Sequence, residues 1–261
     1  MNIIVCLKQV PGTTEVKINP QTNTLIRQGI KNVINPFDTY ALEAGVRLKE
    51  KLGGKVTALS MGPPQAAEML KEAISLGADD AILLSDAAFA GSDTWATAFT
   101  LAAAVKKLGQ TDLILCGRQS TDGDTAQVGP ELAEILNIPF IAYVGIVEEI
   151  DASRMRVKRM IEEGYEVMQS PLPAVITVTK EINVPRLPSL RGLMKSKSAK
   201  ITVWTASELG LDPSNVGLNG SFTKVVKIFT PQRTKKAQMI GGEPAVQAEC
   251  LAVRLKEGHL I

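Results

Sequence analysis

The first half of the chain alternates short apolar runs with segments whose apolar residues recur every three or four positions. Short apolar runs between polar turns are typical of strands buried on both faces, and the longer period is typical of amphipathic helices. The predicted strands are Ile3–Leu7, Val56–Met61, Ala81–Leu84 and Leu113–Cys116. The predicted helices are Pro36–Leu52, Gln65–Leu76, Asp93–Leu108 and Ala126–Leu136, with Asn35 capping the first. This order predicts an α/β fold with a doubly wound, mostly parallel sheet and helices on both faces.

Two segments depart from this alternation. Val16–Arg27 has two short strand-like stretches around Pro20-Gln-Thr-Asn23, which predicts a hairpin. After Ile138, strand-like segments follow one another with short turns between them, and we expect them to extend the sheet with antiparallel strands. These segments are Phe140–Val147, Arg154–Ile161, Tyr165–Gln169 and Ala174–Val178.

The C-terminal third has little apolar periodicity. Asn183–Lys200 combines two prolines with several basic residues, which predicts an exposed loop. Residues 201–261 hold scattered short elements and a final helix at Ala245–Glu257, too little for a core of their own. We therefore expect an α/β domain over residues 1–180, a loop over 181–200 and an extended arm over 201–261 that packs on a partner chain.

Charge and hydropathy limit the partners and the cellular location that we expect for the protein. The chain has 261 residues with a formal net charge of +2, which does not favour a nucleic-acid partner. No apolar run approaches the ~20 residues of a membrane span, so we expect no membrane insertion. Met1–Lys8 lacks the pattern of a secretory leader, and we expect a cytoplasmic protein.

Cysteine and histidine content restricts the chemistry. Cys6, Cys116 and Cys250 are scattered without a CxxC spacing, so neither a zinc site nor a disulfide framework is indicated. His259 is the only histidine, which argues against a Ser-His-Asp triad and a multi-histidine metal site. Any redox or transfer chemistry must therefore be carried by a bound cofactor.

The junction between strand 113–116 and the helix that follows is the strongest local signal. Residues 118–125 form a polar loop of small hydrogen-bonding residues that opens a helix. Free N–H groups and the positive end of a helix dipole make such a loop a seat for phosphate. An ordinary polar connection is the alternative, because neither GxxxxGK[ST] nor GxGxxG is present.

Other segments point to the same edge of the sheet. Val5–Pro11 follows the first strand, Met61-Gly-Pro63 follows the second, and Asn35-Pro-Phe-Asp38 opens a helix there. Ligands of open α/β sheets bind outside the carboxyl ends of the strands, at the switch point. The sequence therefore predicts that a nucleotide binds at this edge.

Two further motifs allow two interpretations each. Asp122-Gly-Asp124 could bind a divalent metal, but turn chemistry explains it equally well. Gly91–Thr97 is a second hydroxyl-rich helix start, which could be a binding segment or a helix capped by Ser92 or Asp93.

Over essentially its full length, the chain resembles the beta subunit of electron transfer flavoproteins. Several independent motifs carry the resemblance in the family's order. They are Val5-Cys-Leu-Lys-Gln-Val10, Asn35-Pro-Phe-Asp38, Ala41-Leu-Glu-Ala44, Arg47-Leu-Lys-Glu50, Ser60-Met-Gly-Pro63, Leu76-Gly-Ala-Asp79, the run Gly117–Gln127, Leu172-Pro-Ala-Val175, Pro185-Arg186 and Met194-Lys195.

The resemblance implies an adenine-nucleotide-binding α/β domain whose C-terminal arm wraps an FAD-containing alpha subunit. In the family's simple carriers, the beta subunit holds a structural AMP. In its electron-bifurcating members an FAD takes that place and accepts a hydride from NADH. One electron then goes to ferredoxin or flavodoxin. The other passes through the alpha-subunit FAD to a flavin-dependent dehydrogenase of the acyl-CoA or a related type. The small residues of 121–130 and the motif Asp93-Thr94-x-x-Thr97 resemble the bifurcating type.

By the same resemblance, specific residues would bind the nucleotide. The adenosine pocket would include Cys6, Asn35, Asp38 and Met61, and Thr94 and Thr97 would contact the FAD phosphates or flavin ring. The complete cofactor-binding set is Cys6, Asn35, Pro36, Phe37, Asp38, Met61, Thr94, Thr97, Gly117, Arg118, Gln119, Ser120, Thr121, Asp122, Gly123, Asp124, Thr125, Ala126, Gln127 and Val128. Asp122 and Asp124 sit awkwardly beside a diphosphate unless they bond to ribose, cap the helix or pair with Arg118.

Leu190 matches the leucine with which the family's recognition loop inserts into a partner dehydrogenase, which makes 181–200 a partner-recognition loop. No side chain is expected to act as an acid, base or nucleophile. A simple AMP-binding carrier is the alternative within the family. An adenine-nucleotide sensor of the stress-protein type is the alternative outside it, although such a sensor has no use for the long arm.

Overall fold

The computed structural model describes residues 1–12, 17–19, 24–26, 32–227 and 237–261. Their contacts define two compact units, Met1–Val226 and Lys227–Ile261. The strands of the first unit are β1 (Asn2–Cys6), β2 (Gln9–Pro11), β3 (Lys17–Asn19), β4 (Thr24–Ile26), β5 (Asn32–Ile34), β6 (Lys55–Met61), β7 (Asp80–Leu84), β8 (Leu113–Gly117), β9 (Phe140–Ile150), β10 (Arg154–Ile161), β11 (Gly164–Pro171), β12 (Ala174–Val178) and β13 (Thr202–Trp204). Its helices are α1 (Pro36–Leu52), α2 (Ala66–Ser75), α3 (Thr94–Leu108), α4 (Val128–Leu136) and α5 (Leu190–Ser198).

One nine-stranded sheet organises this unit, in the order β11-β10-β9-β12-β8-β1-β6-β7-β13. β1 lies centrally, with β6 parallel to it on one side and β8 parallel to it on the other. The chain moves from β1 to β6 and β7, then crosses back to β8. The junction of β1 and β8 is therefore the switch point at which open α/β sheets bind their ligands.

Helices cover both faces of the sheet, which confirms the predicted doubly wound fold. Leu42 of α1 and Leu70 of α2 pack in one core cluster with Val5. Leu101 of α3 and Leu132 of α4 pack in a second cluster on the opposite face. The two clusters alternate along β1, as the alternating side chains of a strand buried on both faces require.

The predicted antiparallel extension is confirmed for the pairing of β9, β10 and β11 and is wrong for β12. β12 lies between β8 and β9 and pairs in parallel with both. All five residues of β12 are buried, and an apolar run buried on both faces is typical of an interior parallel strand. The β10–β11 hairpin gives the chain the length to return to the middle of the sheet.

The hairpin predicted over Val16–Arg27 is confirmed in its strand pairing, because β3 and β4 are antiparallel. The turn that we predicted at Pro20–Asn23 lies outside the described residues. A second antiparallel pair joins β2 to β5 and brings the chain back to the start of α1.

The prediction of an exposed loop over Asn183–Lys200 holds for its exposure and for residues 183–189, but it is wrong for residues 190–198, which form α5 and pack on α2. The Ser189 hydroxyl accepts a hydrogen bond from the Gly192 N–H at 3.0 Å and caps the helix. A Cβ on Gly192 would lie 2.2 Å from the Ser75 carbonyl oxygen, so glycine permits this close approach. The spacing of Leu190, Leu193 and Met194 was the available helical signal.

Residues beyond 200 are divided between the two units. β13 pairs in parallel with β7 at one edge of the sheet, and the chain up to Val226 belongs to the first unit. The second unit contains α6 (Pro244–Glu257), which matches the predicted final helix and has no buried residue. In the part of the chain described, no helix has both the length and the apolar character needed to cross a bilayer.

Candidate nucleotide-binding cleft

A cleft of about 970 Å³ opens in the first unit at the carboxyl ends of β1, β6 and β8. The starts of α1, α3 and α4 and the segment Phe222–Val225 complete its walls. Pockets of ~300–1,000 Å³ are the usual size for small-molecule ligands. A second cavity, near β9–β11, has a volume of only about 190 Å³.

The cleft brings together most of the residues that the sequence singled out, as was expected for one edge of the sheet. Pro36, Phe37, Thr121 and Asp124 do not line it, and Leu190 lies elsewhere, exposed at the first position of α5. The predicted residues that do line it are Cys6, Asn35, Asp38, Met61, Thr94, Thr97, Gly117, Arg118, Gln119, Ser120, Asp122, Gly123, Thr125, Ala126, Gln127 and Val128.

Asn35 connects the start of α1 to the polar loop. Its side-chain amide donates to the Asp38 carboxylate at 2.9 Å and to the Gln119 carbonyl oxygen at 2.8 Å. Its side-chain oxygen accepts the Thr121 N–H at 3.1 Å. Asn35 is the N-cap residue of α1, as predicted, but its side chain makes no capping hydrogen bond to the helix and holds the loop instead.

Asp38 is buried beneath the same loop. One of its carboxylate oxygens accepts the backbone N–H of Lys8 at 2.7 Å, and the other accepts the Asn35 amide. Burial nevertheless dominates and raises the pKa of Asp38 to about 7, because these donors compensate only part of the lost hydration.

This raised pKa predicts a pH dependence of stability that Asp38→Asn removes. An unfolded aspartate ionises near 3.8, whereas folded Asp38 holds its proton up to about 7. Between these two pKa values the folded state therefore binds more protons than the unfolded state. As pH rises from 4 to 7, Asp38 should therefore lower the free energy of unfolding of the wild type. Urea denaturation across pH 4–8 should show a smaller fall in the Asp38→Asn variant.

Asp122 offers a control of opposite sign. The pKa of Asp122 is lowered, because the Lys8 ammonium outweighs its partial burial. An Asp122→Asn change should remove a contribution that is present above the unfolded pKa and is lost as pH falls. If wild type and Asp38→Asn have the same slope, Asp38 is ionised throughout this range.

The polar loop presents free amides to the cleft. Within the described residues, the N–H groups of Thr125, Ala126 and Gln127 have no acceptor in the protein. Asp124 and Ala126 have φ angles of 55° and 56°, in the left-handed region that non-glycine residues seldom adopt. Alternating backbone handedness of this kind turns successive N–H groups to one side and forms an anion-binding concavity.

The acidic residues of the loop have partners other than those considered from the sequence. Asp122 pairs with the Lys8 ammonium at 2.7 Å, and Asp124 accepts a hydrogen bond from the Gln119 side-chain amide. Arg118 lies over the ring of Tyr143, with its guanidinium carbon 4.9 Å from the ring centre. Lys8, which our site prediction omitted, directly follows β1, and that position at the carboxyl edge was the available signal.

The two cysteines of the cleft are side by side. Cys6 of β1 and Cys116 of β8 are partners in the parallel register, and both are buried. A hydrogen bond with Cys6 and burial together raise the pKa of Cys116 well above its ordinary range. The Cys116 thiol therefore stays protonated, and both cysteine side chains act as small lining groups.

The start of α3 forms the other end of the cleft. The Asp93 carboxylate accepts the Ala96 N–H at 3.0 Å, so Asp93 caps α3 as one interpretation of this motif expected. Its second oxygen accepts the Thr223 N–H at 2.9 Å, and the Trp95 and Phe222 rings pack at 5.8 Å. No sequence motif indicated the wall formed by Phe222–Val225.

Glu131 is a further cleft residue absent from our prediction. The Thr94 hydroxyl donates to one of its carboxylate oxygens at 3.0 Å. Its other oxygen is buried and has no hydrogen-bond partner among the described residues. Burial is the main reason that the pKa of Glu131 is raised. Acidic residues are common in the first turn of a helix, so no sequence signal marked Glu131 as a cleft residue.

Comparison with known proteins decides the family. A family model described as electron transfer flavoprotein domain matches residues 22–209. The chain belongs to the electron transfer flavoprotein family. It is 48% identical, over the whole of both chains, to the electron transfer flavoprotein subunit beta of Thermoanaerobacterium thermosaccharolyticum. It is 47% identical, again over both whole chains, to CarD, a subunit of the caffeyl-CoA reductase-Etf complex of Acetobacterium woodii.

A third relative is the FixA protein of Azorhizobium caulinodans, 41% identical over 98% of this chain and 94% of FixA. These full-length similarities confirm the resemblance to electron transfer flavoprotein beta subunits that the motifs indicated. They favour a subunit of an electron-transfer complex over a separate adenine-nucleotide sensor.

Proposed function

We propose that this chain is the beta subunit of an electron-bifurcating electron transfer flavoprotein, acting with an alpha subunit, and that its cleft binds FAD. In this complex NADH is the electron donor. The electrons pass to ferredoxin or flavodoxin and, through the FAD of the alpha subunit, to a flavin-dependent dehydrogenase. The proposal that the protein is cytoplasmic rests on its sequence alone.

The extent of the cleft carries this proposal. Its lining continues from the polar loop at Arg118–Gln127 to a second helix start at Thr94 and Thr97. AMP needs only an adenosine pocket and one phosphate seat, whereas FAD continues beyond them with a second phosphate, a ribityl chain and a ring. A cleft with two hydrogen-bonding helix starts supports the longer ligand.

The residues of the chain fit such a ligand by their donor chemistry. The unpaired amides of Thr125, Ala126 and Gln127 and the start of α4 would hold phosphate. Lys8 and Arg118 supply positive charge beside the loop. Cys6, Met61 and Cys116 give the inner wall an apolar surface for adenine.

Bound FAD would supply the redox chemistry, so the protein's task is to bind, orient and electrostatically tune it. The Asn35 and Asp38 hydrogen bonds fix the loop relative to α1. No side chain is assigned as a catalytic acid, base or nucleophile.

Nucleotide content separates the proposal from its alternative within the family. We would co-express the chain with its alpha subunit, denature the heterodimer, and quantify FAD and AMP by chromatography. The bifurcating complex should hold two FAD and no AMP per heterodimer. One FAD and one AMP would identify a simple carrier with AMP in this cleft.

A variant of the loop tests whether the counted nucleotide is in this cleft. Thr125→Val removes a hydroxyl at the proposed phosphate seat and should lower beta-side nucleotide retention severalfold. Thr111→Val, outside the cleft, is the matched control. Unchanged retention in the Thr125→Val complex would contradict the assigned seat.

The proposed partner surfaces lie outside the cleft. Leu190 is 78% exposed at the start of α5, which suits an anchor for a partner dehydrogenase. α6 has no buried residue, and Val246, Leu251 and Val253 are exposed on it. We propose that residues 227–261, the part of the predicted arm that forms the second unit, pack on the alpha subunit.

A further inference from the structure

We propose that Thr94 and Glu131 form a hydrogen-bond acceptor pair that receives a donor group of the bound dinucleotide, a ribityl hydroxyl or a ring N–H, and not a phosphate. The inference deepens the proposed function and rests on it, because it requires a ligand that extends beyond its phosphates. It also chooses between the two contacts that the sequence left open for Thr94.

The count of protons at this contact carries the inference. A threonine hydroxyl has one proton, and Thr94 donates it to Glu131 over 3.0 Å. When Glu131 is ionised its carboxylate has no proton to give, and the pair then offers the cleft only acceptor lone pairs. A phosphate also offers mostly acceptors, and the two would not complement each other. A hydroxyl or N–H of the ligand would complement the pair.

Charge at this end of the cleft favours the same conclusion. The Asp93 carboxylate already occupies the start of α3, where it accepts the Ala96 and Thr223 N–H groups. With Glu131 beside it, this end carries two acidic side chains. A phosphate placed here would lie near these two carboxylates and one cation, Lys224, whereas at the opposite end Lys8 offsets Asp122 and Arg118 adds a further positive charge. The diphosphate therefore belongs at the polar loop, with the ribityl chain and ring extending towards Thr94.

The unpartnered oxygen of Glu131 is an independent observation that points to a ligand. It is buried without a hydrogen-bond partner among the described residues, which is costly for a carboxylate oxygen. The terminal torsion of a glutamate is soft, so this oxygen can turn towards the cleft when a donor arrives. A ligand hydroxyl or N–H would remove the cost and stabilise the ionised carboxylate.

Titration with two nucleotides tests the assignment. ADP carries the adenosine and the diphosphate, and FAD adds the ribityl chain and ring. Calorimetric titrations would use the heterodimer with its alpha-subunit FAD retained and its beta-side nucleotide removed. Thr94→Val and Glu131→Gln should each weaken FAD binding about tenfold, the loss expected for one ligand hydrogen bond. ADP binding should change less than about twofold in both variants, because an ADP diphosphate does not reach the pair.

Two controls make the result specific. Glu134→Gln changes the same residue type one turn away, on the exposed side of α4 and outside the cleft, and should leave both nucleotides unaffected. The double variant Thr94→Val/Glu131→Gln should lose little more FAD affinity than either single variant, because the two groups act as one contact.

Three results would overturn the inference. Equal weakening of ADP and FAD would place a phosphate at Thr94, and unchanged FAD binding in both variants would remove the contact altogether. Wild-type protein that binds ADP but not FAD would overturn the proposed FAD function and this inference together. Only the wild-type titration can give that last result. Failure of the proposed FAD function can therefore be distinguished from failure of the Thr94–Glu131 contact alone.

Discussion

Gly117→Ala is expected to destabilise the protein by about 3 kcal/mol and to abolish beta-side nucleotide retention. A Cβ on Gly117 would lie 2.3 Å from an Asp38 carboxylate oxygen and 2.7 Å from the Phe37 carbonyl carbon. Part of this obstacle is the backbone of α1, so the side chains alone cannot relieve it. Moving α1 would separate Asn35 from the loop that it holds. Urea denaturation and nucleotide counting on the heterodimer would measure both effects.

Gly62→Ala is the matched control for this change. Gly62 also follows a strand at the edge of the cleft, but its Cβ would meet only the Ala66 methyl group at 3.3 Å. We expect its free energy of unfolding to change by less than about 1 kcal/mol. If the Gly117→Ala protein were as stable as the Gly62→Ala protein, α1 would be able to move away from residue 117 without loss of folding stability, which would contradict the prediction.

Arg186→Met is expected to destabilise the protein by about 3 kcal/mol, because it leaves a buried carboxylate short of its main partner. The Glu43 side chain is only 3% exposed and lies 2.7 Å from the Arg186 guanidinium. Arg186 also pairs with Glu50 at 2.6 Å. Without Arg186, Arg47 would be the one ion-pair partner left to Glu43 among the described residues. Thermal or urea denaturation of the heterodimer would measure the loss.

The pH dependence of this loss has a definite sign. Burial would raise the pKa of Glu43, but hydrogen bonds from Arg186 and Arg47 outweigh it and hold the pKa below the ordinary 4.5. The stabilisation is therefore present above that value and disappears as pH falls through the lower folded pKa. The difference between wild type and Arg186→Met should shrink in acid. An equal difference at pH 7 and pH 3 would contradict the ion-pair explanation.

Arg191→Met is the control for lost charge in the same segment, because Arg191 is exposed on α5 and lies in no ion pair among the described residues. We expect its stability to change by less than about 0.5 kcal/mol. Arg186 also fixes the chain four residues before Leu190. Its removal should therefore weaken docking of the partner dehydrogenase, if Leu190 is the anchor that we propose.

Local patterns were enough to predict the helices and strands in which each face is either clearly buried or clearly exposed. α1 and β10 have the predicted bounds, because their apolar spacing and end residues agree. β12 was predicted as a strand but not in its orientation. Its buried apolar run fits either direction, and only its insertion between β8 and β9 decides it. α5 was missed because its apolar residues remain largely exposed and its helical period looked weak.

In the candidate site, too, residues marked by local motifs were predicted, and residues placed by long-range packing were not. The polar loop and Asn35-Pro-Phe-Asp38 were found because short-range motifs mark the ends of strands and the starts of helices. Glu131 and Phe222–Val225 were not found, since their place depends on packing between distant segments. The Asn35 side chain was misassigned for a related reason: the sequence could not show the Gln119 carbonyl and Thr121 N–H opposite it.

The spread of the cleft along the chain has a consequence for biosynthesis. Its walls include Cys6, in the first strand, and Val225, next to the last residue of the first unit. A ribosome-bound chain that ends before Phe222 therefore lacks one wall, although it already contains every strand of the main sheet. If the cleft binds nucleotide as we propose, we expect loading to be complete only once this stretch has emerged and packed against α3. Cofactor content would then report completed synthesis, and chains cut short before Phe222 should reach the assembly stage with little nucleotide bound.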